Sequence, residues 1–267
     1  MKLFYRKYGK GPALIILHGL FGSSDNWVTI AKKISEKFTV YLPDLRNHGN
    51  SPHSDEHDYH LMRDDLYEFV NDLKLKKFFL AGHSMGGKVA INFAIRWPEM
   101  LNGLLVADIS AFGDKFTSQA AYNQHISILK TILSTDLSGL RSRNEVELLL
   151  GNETKSERIR GLIMKNMQRT DSNVFVWKIN AASILKNLNK IMEGIDRKAA
   201  FPQQVTGFPV VFLRGAESDY LPVEDYADIK KIFPAVEFTE IPDAGHWIQA
   251  DNPDAVADNL LRLLNNS

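Results

Sequence analysis

The chain has 267 residues, with 32 Lys plus Arg, 32 Asp plus Glu and no cysteine. Its length holds one large α/β domain or two small ones, and a chain with 44% hydrophobic and 24% charged residues is neither disordered nor fibrous. A formal net charge of zero gives no general attraction to nucleic acid, and the lack of cysteine removes disulfides, Fe–S clusters, cysteine nucleophiles and cysteine-based zinc sites.

Charges at Lys2, Arg6 and Lys7 leave no apolar segment of the kind a signal peptide carries. The longest apolar run, ALIIL at 13–17, is too short to span a bilayer. A cytoplasmic protein without membrane insertion is expected. ALIIL reads as a buried strand stopped by His18-Gly19, and an amphipathic helix follows over 26–37. FTVYL at 38–42 is the next strand, stopped by Pro43-Asp44. His53, His57 and His60 sit in a polar, acidic stretch and are expected at the surface rather than in a metal site. A helix over 64–73 places Leu66, Phe69, Val70 and Leu73 on one face. KFFLA at 77–81 is a strand, 85–97 a helix stopped by Pro98, and LLVA at 104–107 a strand ending at Asp108. This alternation predicts parallel pairing with right-handed crossovers.

From 111 to 204 strand signals are absent, and helices joined by polar breaks at Ser138-Gly139, Gly151-Asn152 and Thr170-Asp171-Ser172 are expected. Strands return at 209–213 and 236–241, and a helix over 255–264 closes the chain. The expected organisation is a core at 1–110 and 205–267 interrupted by a helical cap at 111–204, long enough to be functional. The insertion carries 14 basic and 9 acidic residues, a net of +5, and the rest of the chain a net of −5. A solvated helical face is the plainer reading, and a lid that attracts anionic substrates the functional one. Ile128, Leu129, Ile132, Phe175 and Trp177 are apolar candidates for an acyl tunnel, more than half of them expected to pack the insertion's own helices. His125 in the same segment reads as ordinary.

Gly82-His83-Ser84-Met85-Gly86 is a G-x-S-x-G between a strand and a helix, the setting of a nucleophile elbow. A serine there is exposed on a strained turn beside the N–H groups of a helix N-terminus, which can stabilise a negative oxygen. Serine needs a base. His246, just after the last strand, completes a Ser–acid–His chain order. Two acids are open: Asp219, after the 209–213 strand, and Asp108, after 104–107. His18-Gly19-Leu20-Phe21-Gly22 follows the first buried strand, so the N–H groups of Leu20 and Met85 are the candidate oxyanion hole. Phe21 and Trp27 are candidate walls of an acyl pocket, and His18, His83, Trp177 and Trp247 further substrate contacts. This chemistry requires no metal and no cofactor.

Taken together, these residues resemble the α/β-hydrolase superfamily over essentially the whole chain. HGLFGSSDNW at 18–27, DLRNHGNSPH at 44–53, GHSMGGKVA at 82–90, ADIS at 107–110 and DAGHW at 243–247 look like the small esterases of the YbfF type and their mitochondrial relatives. The resemblance implies a mostly parallel central sheet flanked by helices, with a helical cap inserted between the sixth and seventh core strands. It also implies a serine esterase acting on small-molecule acyl esters of short to medium chain, with acyl-CoA thioesters as further candidates. It favours Asp108 as the acid, although the chain departs from the simplest pattern by also offering Asp219. A lyase or C–C hydrolase on a small anionic substrate, of the menaquinone-pathway or aromatic-degradation type, is the rival within the fold. A non-catalytic binding protein would have no need of Ser84, His246 and two acids together. Haloalkane dehalogenases and epoxide hydrolases carry Asp where this chain has Ser84.

Overall fold

ALIIL is apolar throughout because its two faces meet different layers. Ile15 and Leu17 pack into one cluster, and Leu14 and Ile16 into another on the opposite side of the sheet. In a computed structural model, which describes residues 1–113, 119–195 and 204–265, this run is strand β2 (Ala13–Leu17). The same division separates Phe78 from Phe79 in β4 (Phe78–His83). The sheet also contains β1 (Tyr5–Gly9), β3 (Thr39–Pro43), β5 (Leu101–Ala107), β8 (Val210–Gly215) and β9 (Val236–Ile241). Its strand order is β1-β3-β2-β4-β5-β8-β9, parallel except for β1, which runs antiparallel to β3 at the edge.

Helices α2 (Tyr59–Asp72) and α3 (Met85–Arg96) cover one face of the sheet, joined by α9 (Tyr226–Ile232). Helices α1 (Val28–Ile34), α10 (Ile248–Asp251) and α11 (Pro253–Asn265) cover the other. Helix α2 begins before the expected 64–73, because Asp58 caps it by accepting the Leu61 N–H at 2.9 Å. That longer helix draws His57 inward. His57 is fully buried, contrary to its expected surface placement, whereas His53 and His60 are exposed.

Between β5 and β8 the described residues contain α4 (Gln119–Ser134), α5 (Arg143–Glu153), α6 (Glu157–Lys165), α7 (Ala181–Lys186) and α8 (Leu188–Met192). A short antiparallel ribbon, β6 (Met167–Arg169) with β7 (Phe175–Trp177), lies among them. This corrects two expectations. The segment is not free of strands: Thr170-Asp171-Ser172 is the turn of the ribbon, and three-residue strands are too short to show a period. The insertion also leaves after the fifth strand of the sheet and returns at the sixth, not between the sixth and seventh, since β1 alone precedes β2 in the chain.

The inserted helices bury their own cluster, including Leu129, Ile132, Val146, Leu150, Ile163, Phe175 and Ile184. Polar contacts tie it to the rest of the molecule. Asn180 donates its backbone N–H to the Asn47 carbonyl at 2.9 Å, Asn187 Nδ2 donates to the Asp55 carbonyl at 2.9 Å, and Asn166 Nδ2 to the Phe21 carbonyl at 2.9 Å. Among the described residues no helix is long and apolar enough to cross a membrane.

Candidate active site

Ser84 stands where β4 turns into α3, with φ 52° and ψ −119°. A non-glycine residue at positive φ stores about 1–3 kcal/mol of strain, so the surroundings must hold it. They do so through backbone packing. The Ser84 N–H donates to the Ala107 carbonyl at 3.0 Å. A Cβ at Gly82 would lie 2.2 Å from the Gly86 carbonyl oxygen, and one at Gly86 would lie 2.7 Å from that of Leu17. Only glycine permits both approaches, and the second brings the end of β2 against the start of α3.

His246 lies after β9, and Asp108 leaves the end of β5 with φ 50°. His246 Nε2 is 3.0 Å from Ser84 Oγ, and His246 Nδ1 is 2.8 Å from Asp108 Oδ2. Asp108 is fully buried, and its carboxylate is well supplied with donors: the Gly215 N–H reaches Oδ1 at 2.8 Å, and the Ser218 hydroxyl bonds Oδ2. Tyr220 stacks on the His246 ring, with centroids 3.6 Å apart and planes 17° apart. Such a chain can take a proton from the serine hydroxyl and hold the resulting imidazolium in place.

Asp219 is not brought to the site. It is exposed, with no hydrogen-bond or ion-pair partner among the described residues. The loop after β8 turns its neighbour Ser218 inward instead, so that loop contributes a hydroxyl and the Gly215 N–H while β5 contributes the carboxylate. Ser218 and Tyr220 are missed by reading the sequence, where Asp219 between them draws the eye.

The backbone at Gly19 packs against the serine: a Cβ there would lie 3.2 Å from Ser84 Cβ. The next residue, Leu20, and Met85 both line the cavity that opens at Ser84. His18 does not line it. His18 is buried, accepts the Leu45 N–H on Nε2 at 2.9 Å, and places Nδ1 2.8 Å from the Gly19 carbonyl. It is a strut between the 18–22 loop and the 44–53 loop. Asp44 is a second strut, accepting from the Ser24 N–H at 2.6 Å and the Asn50 N–H at 2.8 Å.

Two cavities meet at Ser84 and share Leu20, His125 and Tyr220. The inner one has a volume of about 30 Å³ and is walled also by Tyr59, Met85, Lys88, Ile109, Ile191 and Met192. The outer one has a volume of about 120 Å³ and reaches Phe21, His83, Ile128, Leu162, His246 and Trp247. Of the residues expected to contact substrate, Phe21, His83 and Trp247 therefore line the site. Trp27 does not: it is buried between the sheet and α1, because the first turn of that segment is short 3-10 helix that drives the indole into the core. Trp177 packs against the cap cluster, as Leu129, Ile132 and Phe175 do within it. His125, read as ordinary, faces both cavities, and its position one helical turn before Leu129 on an amphipathic helix was the available signal.

Burial is the main cause of the histidine shifts. His83 is pushed down to about 3 by burial and then by the neighbouring His246, and places Nε2 2.7 Å from the His246 carbonyl. His125 is pushed down to about 4 by burial and then by His246. Both rings are neutral near pH 7, and His246 is the imidazole whose Nε2 meets Ser84 Oγ.

The family model for the alpha/beta hydrolase fold matches residues 12–253. The chain is similar to the sn-1-specific diacylglycerol lipase ABHD11 of Danio rerio, with 36% identity over 252 residues, 92% of this chain and 76% of that one. It is also similar to esterase YbfF of Escherichia coli, with 25% identity over 252 residues, 94% of this chain and 92% of that one. Among solved structures it resembles a marine microorganism esterase, with 39% identity, a TM-score of 0.90, and coverage of 98% of this chain and 99% of that one. From β2 to the start of α11, the chain belongs to the α/β-hydrolase fold family.

Proposed function

We propose that the protein is a serine esterase that cleaves short- to medium-chain acyl esters, with acyl-CoA thioesters as further candidate substrates. The observation that carries this reading is the hydrogen-bonded chain Asp108–His246–Ser84. Ser84 Oγ attacks the acyl carbon while its proton passes to His246 Nε2, and Asp108 orients the ring and stabilises its charged form. The N–H groups of Leu20 and Met85 hold the oxyanion; loss of one such donor costs about 3 kcal/mol in comparable sites. The alcohol or thiol leaves with the proton from His246. Water then attacks the acyl-enzyme, with His246 again as base, and frees the acid. Relatives named as esterases and a lipase support the same class.

In this reading 1–110 and 205–267 form the catalytic core and 111–204 is a lid that sets substrate preference, supported by its separate hydrophobic cluster and by His125 and Ile128 reaching the cavities. A cytoplasmic location belongs to the same proposal. The second reading, a lyase or C–C hydrolase acting on a small anion, is favoured by one observation: Lys88 lines the inner cavity. Short p-nitrophenyl esters discriminate between the two, being turned over quickly by an esterase and poorly by the alternative.

The deciding experiment is Ser84→Ala. Its turnover of p-nitrophenyl butyrate should fall by about five to six orders of magnitude with unchanged folding. Wild-type protein treated with a fluorophosphonate should be labelled at Ser84. More than a few per cent of residual turnover, or labelling elsewhere, overturns the mechanism.

A further inference from the structure

We propose that His125 on the cap selects the alcohol part of the substrate, its ring hydrogen-bonding a hydroxyl on the carbon next to the one that bears the ester oxygen. The proposal rests on the esterase reading and names its substrate class: short-chain monoesters of 1,2-diols.

The two cavities divide the ester between them. A leaving alcohol must lie beside the imidazole that gives it a proton, and His246 lines the outer cavity but not the inner one. The inner cavity, at about 30 Å³, has room for a short acyl chain, and the outer one, at about 120 Å³, for the alcohol. His125 lines both, as Ser84 does, so its ring stands at the junction where the scissile bond lies. It rests against Phe21, with ring centroids 5.6 Å apart. Phe21 is itself fixed by the Asn166 amide on its carbonyl, and it directly follows Leu20, an oxyanion donor of the proposed mechanism.

The protein itself leaves this ring unmatched. Neither nitrogen of His125 has a hydrogen-bond partner among the described residues. Only Nδ1 is fully shielded, so Nε2 is the nitrogen that a ligand in the cavities can reach. The two other histidines of the outer cavity are engaged: His83 Nε2 with the His246 carbonyl at 2.7 Å, and His246 with Asp108 and Ser84. A buried polar group without a partner is costly, and an apolar side chain would suit a helix whose Ile128, Leu129 and Ile132 build the cap cluster. The chemistry of the ring selects its partner. Burial and then His246 push it down to about 4, so it is neutral and offers no charge to a carboxylate or phosphate. A neutral imidazole nitrogen donates or accepts according to tautomer, whereas a hydroxyl does both and matches Nε2 in either form. Because the ring stands at the junction and not at the far end of the outer cavity, the hydroxyl must lie close to the ester oxygen. A 1,2-diol provides that spacing.

The test compares kcat/KM for 2-hydroxyethyl butyrate and 2-fluoroethyl butyrate, followed by titration of the acid released. Fluorine matches the hydroxyl in size and withdraws electrons at least as well, but it is a poor hydrogen-bonding group, so a preference for the hydroxyl cannot come from the leaving group's reactivity. Wild-type protein should favour the hydroxyethyl ester by about threefold or more, mainly through KM. His125→Phe should bring that ratio to one or below, and His125→Gln, whose amide also donates and accepts, should keep part of it. A smaller wild-type ratio overturns the proposal, as does a preference that survives His125→Phe. A second pair, p-nitrophenyl 2-hydroxybutyrate and p-nitrophenyl butyrate, asks whether a hydroxyl is read on the acyl side; a preference there equal to or above that for the alcohol overturns it too. The wild-type ratios need no variant, so a substitution that fails to fold leaves the decision intact. Fluorophosphonate labelling of Ser84 separates the failures. Labelling and ester turnover without a hydroxyl preference sink this inference alone; no labelling and no ester turnover sink the esterase reading beneath it.

Discussion

The Asp108 carboxylate receives a backbone N–H, a serine hydroxyl and a histidine ring in complete burial. Across the cavity the cap is built differently. His125 buries Nδ1 and Trp177 buries Nε1 with no hydrogen-bond partner among the described residues. The core strands are held by ladders of backbone hydrogen bonds that fix Ser84, Asp108 and the β9 loop relative to one another. The cap rests on its own apolar cluster and a few side-chain amides. The contrast separates two demands: groups that handle charge must be positioned before the reaction, whereas groups that select a substrate need only be close enough to meet one.

The largest expected effect breaks the core half of this comparison. Asp108→Asn should lower kcat by about four orders of magnitude, as loss of the orienting carboxylate does in a serine triad, while Asp219→Asn stays within about twofold of wild type. Steady-state kinetics on p-nitrophenyl butyrate decides it, and a crippled Asp219→Asn would reassign the acid.

Acid should act on the buried histidines next. His57 is pushed down to about 3, by burial first and the Arg46 charge second, and His83 and His125 to about 3 and 4. Below the ordinary value of 6.5 the unfolded chain takes up protons that the folded one refuses, so the unfolded state binds more. The stability is fully present above that value and is lost as pH falls from it toward the folded values. Each such histidine contributes about 1.4 kcal/mol per pH unit within the window. Urea unfolding from pH 7 to pH 4 should show this slope, and His57→Gln should flatten it by about one proton. An unchanged slope would mean that His57 is protonated in the folded protein.

A smaller effect probes the cap. His125→Phe removes a buried nitrogen without a partner, so the melting temperature should hold or rise by about 2 °C, equivalent to about 1 kcal/mol, while the KM for esters with polar leaving groups rises. A clear loss of stability would show that His125 supports the fold instead. The smallest effect concerns the charge of +5 on 111–204. Exposed charge is screened over about 10 Å at 0.1 M salt, so kcat/KM for an acyl-CoA should fall across a salt series while that for a neutral ester stays flat. Identical responses would reduce the +5 to a solvated surface.

Sequence alone sufficed where neighbouring residues impose the structure. Continuous apolar runs can be covered only as central strands, so β2, β4, β5 and β8 are evident from composition. The turn at Ser84 is evident because its glycines have a local steric reason to be there. The ribbon β6–β7 and the early start of α2 are not, since three-residue strands carry no period and Asp58 reads as one more acid in a polar stretch. The choice between Asp108 and Asp219 could not be made from spacing, because both follow strands that end at the same edge of the sheet. In the fold Asp108 meets His246 and the loop after β8 turns Ser218 inward rather than Asp219, a matter of packing between residues more than a hundred positions apart. The same holds for Trp27 and His18. Chemistry marks each as a candidate, but whether a ring ends in the core or in a strut depends on long-range contacts that no local pattern encodes.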